Sequence, residues 1–134
     1  MTSYSAQPYS QFNFLVDFGT GDGPHGGFQE LSGVKKVTGL NKSTDVTLKR
    51  GVIAARALQE WLDQIRQGHP KAHRTLTIRQ QDENHKTAVT WKLSRAVIIK
   101  HVSGPFNAKG TDVAMEELVV AYERLSLNSV LENL

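Results

Sequence analysis

The residues best placed to do chemistry in this 134-residue chain are a glycine-rich run, five histidines and a scatter of carboxylates. Gly21-Asp-Gly-Pro-His-Gly26 has the spacing of a dinucleotide fingerprint and follows a strand-like stretch. Pyrophosphate binding at such a run needs a helix to begin there, so that unpaired amides and the helix dipole face the phosphates. Gly27 and another strand-like stretch follow instead, so residues 19–27 read as a glycine-rich loop. The histidines are His25, His69, His73, His85 and His101. His69 and His73 have the four-residue spacing of paired zinc ligands on a helix, but Pro70 lies between them and no helix can carry both. Three of the five fall in or beside turns and read as solvated loop histidines. Asp22, Asp82, Glu83, Glu116 and Glu117 show no partner or pocket of the kind acid–base catalysis needs, and no serine sits in a nucleophile elbow. The expectation is a chain with no enzymatic activity, cofactor or metal.

Charge narrows the classes further. Sixteen Lys and Arg against thirteen Asp and Glu leave a net charge of +3, a mixed surface and not a nucleic-acid-binding composition. Lys35, Lys36, Lys42, Lys49 and Arg50 form a basic region, but no aromatics interleave to stack bases, so specific nucleic-acid binding is not expected. There is no cysteine, which excludes disulfides and thiolate chemistry and suits a reducing compartment. The longest apolar run, Leu118 to Tyr122, is far too short to span a membrane. Residues 1–10 lack a basic cluster and an apolar core, and read as a polar N-terminal arm. The length fits one domain, 1–134, with 128–134 as a C-terminal tail.

The elements that must hold any site are mostly strands. Val46 and Leu48 alternate with Thr47 and Lys49, the period of a half-buried strand, until Gly51. From there the period lengthens to 3.6, predicting a helix over 53–67. Ala54, Leu58, Trp61, Leu62 and Ile65 share one face; Arg56, Gln59, Glu60, Asp63, Gln64 and Gln67 share the other. Gly68 and Pro70 end it. Phe12, Phe14, Val16 and Phe18 line one face of a first strand, and Phe28 to Ser32 forms a second. Lys35 to Leu40 reads as a short strand or turn. Thr75–Arg79 and Thr87–Ser94 form a hairpin, the latter with Val89, Trp91 and Leu93 on one side. The alternation slips at Arg95-Ala96, as at a bulge, and Ala96–Ile99 reads as a strand buried on both faces. Asp112–Leu127 fits a helix template by propensity, although Val119, Val120 and Tyr122 also suit a strand. The fold class is mainly β with an α element: antiparallel sheets packed as a small barrel or sandwich, with one flanking amphipathic helix. Phe12, Phe14, Val16, Leu58, Trp61, Leu62, Ile65 and Trp91 are the expected core. Long apolar strands such as 12–18 and 87–102 must either close into a barrel or pair with another copy.

A series of short motifs resembles the tube proteins of contractile phage tails and related injection systems. They are Phe12-Asn-Phe-Leu-Val, Gly27-Phe-Gln-Glu-Leu-Ser-Gly33, Thr47-Leu-Lys-Arg-Gly51, Trp61-Leu62, Trp91-Lys-Leu-Ser-Arg-Ala96, Gly104-Pro-Phe-Asn-Ala108 and Val113-Ala-Met-Glu-Glu-Leu118. Their order covers about residues 11–127 and is closest to the inner tube of phage-tail-like particles. The resemblance implies two packed sheets, one flanking helix, six subunits to a ring, and rings stacked into a hollow tube that a contracting sheath drives through a target envelope. It also implies that 113–127 is a strand, against its helical propensity, and that the subunit does no catalysis. By resemblance, Arg56, Gln59, Glu60, Asp63 and Gln67 face the sheath, and the loop with Asp22, Pro24 and His25 contacts the next ring. Implied partners are further copies of the chain, sheath, baseplate or hub and tube-end proteins, and effector cargo in the lumen. Assembly would take place in a bacterial or archaeal cytoplasm, and the product would be a virion-like tail, in some systems released from the cell. Between Gly33 and Thr47 only the thirteen residues Val34 to Val46 stand where the resemblance implies an extra strand and an extended loop. The competing reading is a small β-barrel module that binds nucleic acid or effector cargo.

Overall fold

The computed structural model describes residues 9–34, 44–104 and 115–129. Among the described residues there are seven strands: β1 Phe14–Asp17, β2 Gly26–Ser32, β3 Thr44–Ile53, β4 Arg74–Gln81, β5 Thr87–Ser103, β6 Glu116–Tyr122 and β7 Arg124–Ser129. One helix, α1 Ala55–Arg66, links β3 to β4 through a 3-10 turn at Pro70–Ala72. All pairings are antiparallel, in the order β4-β1-β2-β3-β6-β5, and β5 returns to β4 to close a six-strand barrel. β7 continues β6 along β5, pairing Arg124 to Ser129 with Ser94 to Val89. Residues 112–114 lie outside the described residues, but 116–129 is strand, as the resemblance implied and as helix propensity did not. The reason is burial: Leu118, Val120 and Tyr122 alternate into the core at two-residue spacing, and such tertiary packing overrides an intrinsic preference.

The core is built from alternate residues of six strands and one face of the helix. Val16, Phe18, Phe28, Val46, Leu48, Leu76, Ile78, Leu93 and Trp61 are fully buried there. Leu58 joins them, while Phe14, Leu62, Ile65 and Trp91 pack against the cluster half-buried. Phe12 is buried too, yet it precedes β1 and lies over Gly27, where a Cβ would approach its ring to 2.6 Å. It therefore packs beside the sheet and not in the central cluster. Trp61 is held on every side. Its ring centroid lies 5.0 Å from that of Phe18, its Nε1–H donates to the Ala72 carbonyl at 2.7 Å, and the Arg74 guanidinium lies 5.1 Å over its face.

Several boundaries differ from the sequence reading. The helix begins two residues later, because Ile53 is still paired in β3 and Ala54 is extended, its N–H donating to the His25 carbonyl at 2.7 Å. β2 begins at Gly26, so the glycine-rich loop ends at His25. Ile99 is not buried: Ala96 and Ile98 alternate inward, and the β5–β6 register shifts between Ile98 and Lys100, leaving Ile99 54% exposed. The slip at Arg95 is real, with φ at +53°, and Arg50 in β3 has φ of +60° where the β3–β6 register shifts. The expected element at 35–40 and the motif at 105–108 lie outside the described residues.

Candidate assembly surface

The polar face of α1 and the loop before β2 meet to form one surface. Arg56, Gln59, Glu60 and Gln67 are exposed and Asp63 half-exposed. Arg56 lies 4.0 Å from Glu60, and Arg66 pairs with Asp63, the neighbours that helical spacing predicts. A shallow groove separates this face from the loop, lined by Thr20, Asp22, Arg56, Glu60 and Arg74. Arg74 forms its floor, donating to the Phe18 carbonyl at 3.3 Å and to Gln64 Oε1 at 2.7 Å. Desolvation lowers its pKa.

The loop is fixed by His25, which the sequence reading had placed in solvent. It is 6% exposed and stacks on Phe18 at 5.2 Å. Its Nδ1 accepts the Phe18 N–H at 3.0 Å, so the neutral ring carries its proton on Nε2, which lies 2.8 Å from Asp22 Oδ1. Thr20 donates its hydroxyl to the same carboxylate oxygen. This cluster looks like a hydroxyl–imidazole–carboxylate set, but its chemistry is structural. The imidazole's one lone pair is occupied by a backbone amide, which leaves no base for the Thr20 hydroxyl. With His25 turned inward, the outward-facing part of the loop is Gly19 to Asp22.

Asp22 also differs from the unpartnered carboxylate that the sequence implied. Hydrogen bonds from Thr20 and then His25 hold its pKa below the usual carboxylate range. A depressed folded-state pKa means that the contribution is present above the ordinary carboxylate pKa and is lost as pH falls through the folded value. The protection factors of residues 19–25, exchange corrected for its intrinsic pH dependence, should therefore fall selectively as pH drops below the ordinary carboxylate range, before the barrel core opens. Asp22→Asn should show the faster exchange already at neutral pH. Loop protection factors left unchanged by Asp22→Asn at neutral pH would contradict this assignment.

Glu116 is the second carboxylate with a partner that sequence reasoning missed. It is half-buried, its Oε1 lies 2.8 Å from His101 Nε2, and its Oε2 accepts the Ile53 N–H at 2.9 Å. It thus satisfies the amide of β3 just where the ladder with β6 ends at Gly51. Tyr9 is nearby; burial, and then the charge of Glu116, raise its pKa. No signal in the sequence links positions 53, 101 and 116, which only the sheet register brings together. Of the basic region, Lys49 and Arg50 are exposed, Arg50 lying 3.7 Å from Glu30; Lys35, Lys36 and Lys42 lie outside the described residues. Among the described residues, no three His, Asp or Glu side chains converge as metal ligands, and no helix is long and apolar enough to cross a membrane.

The strand edges complete the surface. Among the described residues nothing pairs with the outer edge of β7, or with β5 beyond Ala96 on the side that β4 leaves. Among the described residues Ile99, Val102, Met115 and Leu127 are the large apolar side chains left exposed, three of them at that end of the β5–β6 pair. A barrel that closes yet keeps two open edges can extend its sheets into neighbours. The profile of the T4-like virus tail tube protein gp19 matches residues 25–126. The chain belongs to the tail tube protein family. No curated protein sequence matches it. Solved structures share its fold. A chain of the sheath–tube complex of the PVC extracellular contractile injection system, in the extended state, superposes with a TM-score of 0.63 at 23% identity, over 95% of this chain and 93% of that one. A chain from the extended-state sheath/tube terminator of the same system gives 0.63 at 22%, over 96% and 100%. A chain from the tube-terminating cap of the anti-feeding prophage gives 0.59 at 19%, over 97% and 95%.

Proposed function

We propose that this tube-family chain is a structural, non-enzymatic subunit of the inner tube of a contractile injection particle, six copies to a ring and rings stacked into a hollow tube. The observation that carries the reading is the family match across 25–126 on a barrel with open edges at β5 and β7. Heterologous contact between two different edges closes into a ring when the rotation per subunit fits a whole number of copies. An obligate interface of this kind buries more than about 2,000 Å² and is apolar at its centre, a use for Ile99, Val102 and Met115. In this arrangement the α1 face with Arg56, Gln59, Glu60, Asp63 and Gln67 turns toward the sheath, and residues 19–22 of the loop meet the next ring. Baseplate and tube-end proteins cap the stack, and effector cargo occupies the lumen. Subunits assemble in the producing cell's cytoplasm and function in the extracellular particle.

Negative-stain electron microscopy of the purified chain, beside its mass by light scattering, tests the proposal. Six-fold rings or hollow stacks are expected, alone or on an added tube seed. A chain that stays monomeric at high concentration and adds to no seed refutes the tube reading.

A further inference from the structure

The outer face of β4, β5 and β7 carries three cations with no ion-pair partner among the described residues. Arg50, Arg56, Arg66 and Arg95 each lie against a carboxylate. Arg79, Lys92 and Arg124 form no ion pair among the described residues. Their positions follow from the register. Leu76, Ile78 and Leu93 point into the core, so the residues between them point out. Arg79 is paired with Thr90, two residues from Lys92; Lys92 is paired with Ser126, two residues from Arg124. Residues directly opposed across strands share a face, and diagonal neighbours lie about 7–8 Å apart. The cations therefore form one oblique stripe crossing three strands, with the hydroxyls of Thr77, Thr90 and Ser126 beside them.

Among the described residues no free carboxylate breaks the stripe. Asp17, opposed to Thr77 on the adjoining β1, is covered by its own loop: its Oδ1 accepts the Gly19 N–H at 2.7 Å, and a Cβ on Gly23 would fall 2.3 Å from its Oδ2. Glu123, next to Arg124, is held by Arg95 at 3.1 Å. No aromatic side chain of β4, β5 or β7 lies on this face, since Trp91 points inward with Leu93.

We infer that this stripe is a docking surface for an acidic segment of a partner protein, one that presents carboxylates at intervals matching the cations. Alternate side chains of an extended segment repeat every 6–7 Å or so, close to the stripe's spacing. The hydroxyls offer hydrogen bonds to the carboxylates between the cations, and their short side chains keep the face flat. The absence of stacking groups favours protein over nucleic acid.

The test is fluorescence anisotropy with a labelled peptide alternating Glu and Thr, titrated with the full chain at low salt. Binding is expected, weakening by roughly tenfold or more as salt rises to about 0.3 M. Arg79→Glu, Lys92→Glu and Arg124→Glu should each weaken it by roughly tenfold, with melting temperatures confirming that the variants fold. Lys71→Glu makes the same charge change at an exposed lysine in the 3-10 turn and should leave binding near that of the parent chain. Equal loss in Lys71→Glu would mean that only net charge matters and would overturn the stripe. Failure to bind the peptide at low salt overturns it too. Tighter binding of duplex DNA than of the peptide, lost in the same three variants, would overturn the assignment to a protein partner.

Discussion

Trp61→Ala is expected to destabilise the subunit by about 3–5 kcal/mol, the cost of emptying a buried aromatic site whose walls collapse only in part. The site gives reasons to expect the upper part of that range. The ring is fully buried and lies between Phe18 and the Arg74 guanidinium. Its removal leaves the Ala72 carbonyl without the indole N–H and strips the π-face from a partly desolvated cation. Trp61→Phe separates the two contributions. It keeps most of the volume but loses the hydrogen bond, and should cost about 1–2 kcal/mol. Denaturant titrations followed by far-UV circular dichroism measure both. A loss below about 1 kcal/mol for Trp61→Ala would mean that α1 does not pack Trp61 into the barrel core as described. Because α1 also carries the outward polar face, a subunit that loses its packing should lose ring assembly at temperatures where the parent still assembles.

Much of this architecture is legible in the sequence because it is periodic. The alternation through Val46–Leu48, Leu76–Ile78 and Val89–Leu93 marks strands with one buried side, and the 3.6 spacing from Leu58 to Ile65 marks the helix. The slip at Arg95 is visible as a break in that alternation. Other features depend on pairs of residues far apart in the chain. His25 looks like a loop histidine until Phe18 and the start of α1 close over it. Glu116 has no visible partner until β3 and β5 bring Ile53 and His101 to it. The segment 116–122 has helical composition, and only its place between β3 and β5 makes it strand. The stripe of Arg79, Lys92 and Arg124 is equally hidden, because a diagonal across three strands needs two registers to define it. Local patterns encode elements; sites on a sheet surface are encoded by register, which no local pattern carries.

The motif Thr47-Leu-Lys-Arg-Gly51 shows how a local pattern can carry more than an element, and Gly51→Ala tests it. Arg50 has φ of +60°, a left-handed conformation that inserts an extra residue into β3 and shifts its register against β6. Gly51 follows, opposed to Phe28 on one side and Glu116 on the other. It is not among the glycines with positive φ, so its need for glycine is steric. A Cβ there would lie 2.3 Å from the Phe28 ring and 2.4 Å from the Gly27 carbonyl oxygen. Alanine should therefore cost about 3 kcal/mol, the upper end for overpacking, because backbone as well as a side chain must move. Gly68→Ala is the contrasting case: φ is +66° and nothing lies within 4 Å, so only backbone strain of about 1–2 kcal/mol is expected. A double-mutant cycle separates the causes. Phe28→Leu should recover part of the Gly51→Ala loss, with a coupling of about 0.5–3 kcal/mol, and should recover none of the Gly68→Ala loss. Recovery must be incomplete, since the Gly27 carbonyl remains in the way. Strict additivity of Gly51→Ala and Phe28→Leu would show that the two strands do not approach as closely as the structure requires. The displaced strand would also move Ile53, whose amide meets the Glu116 carboxylate and whose successor opens the turn into α1. A single methyl group at position 51 should thus disturb both the bulged strand and the helix that faces outward from the barrel.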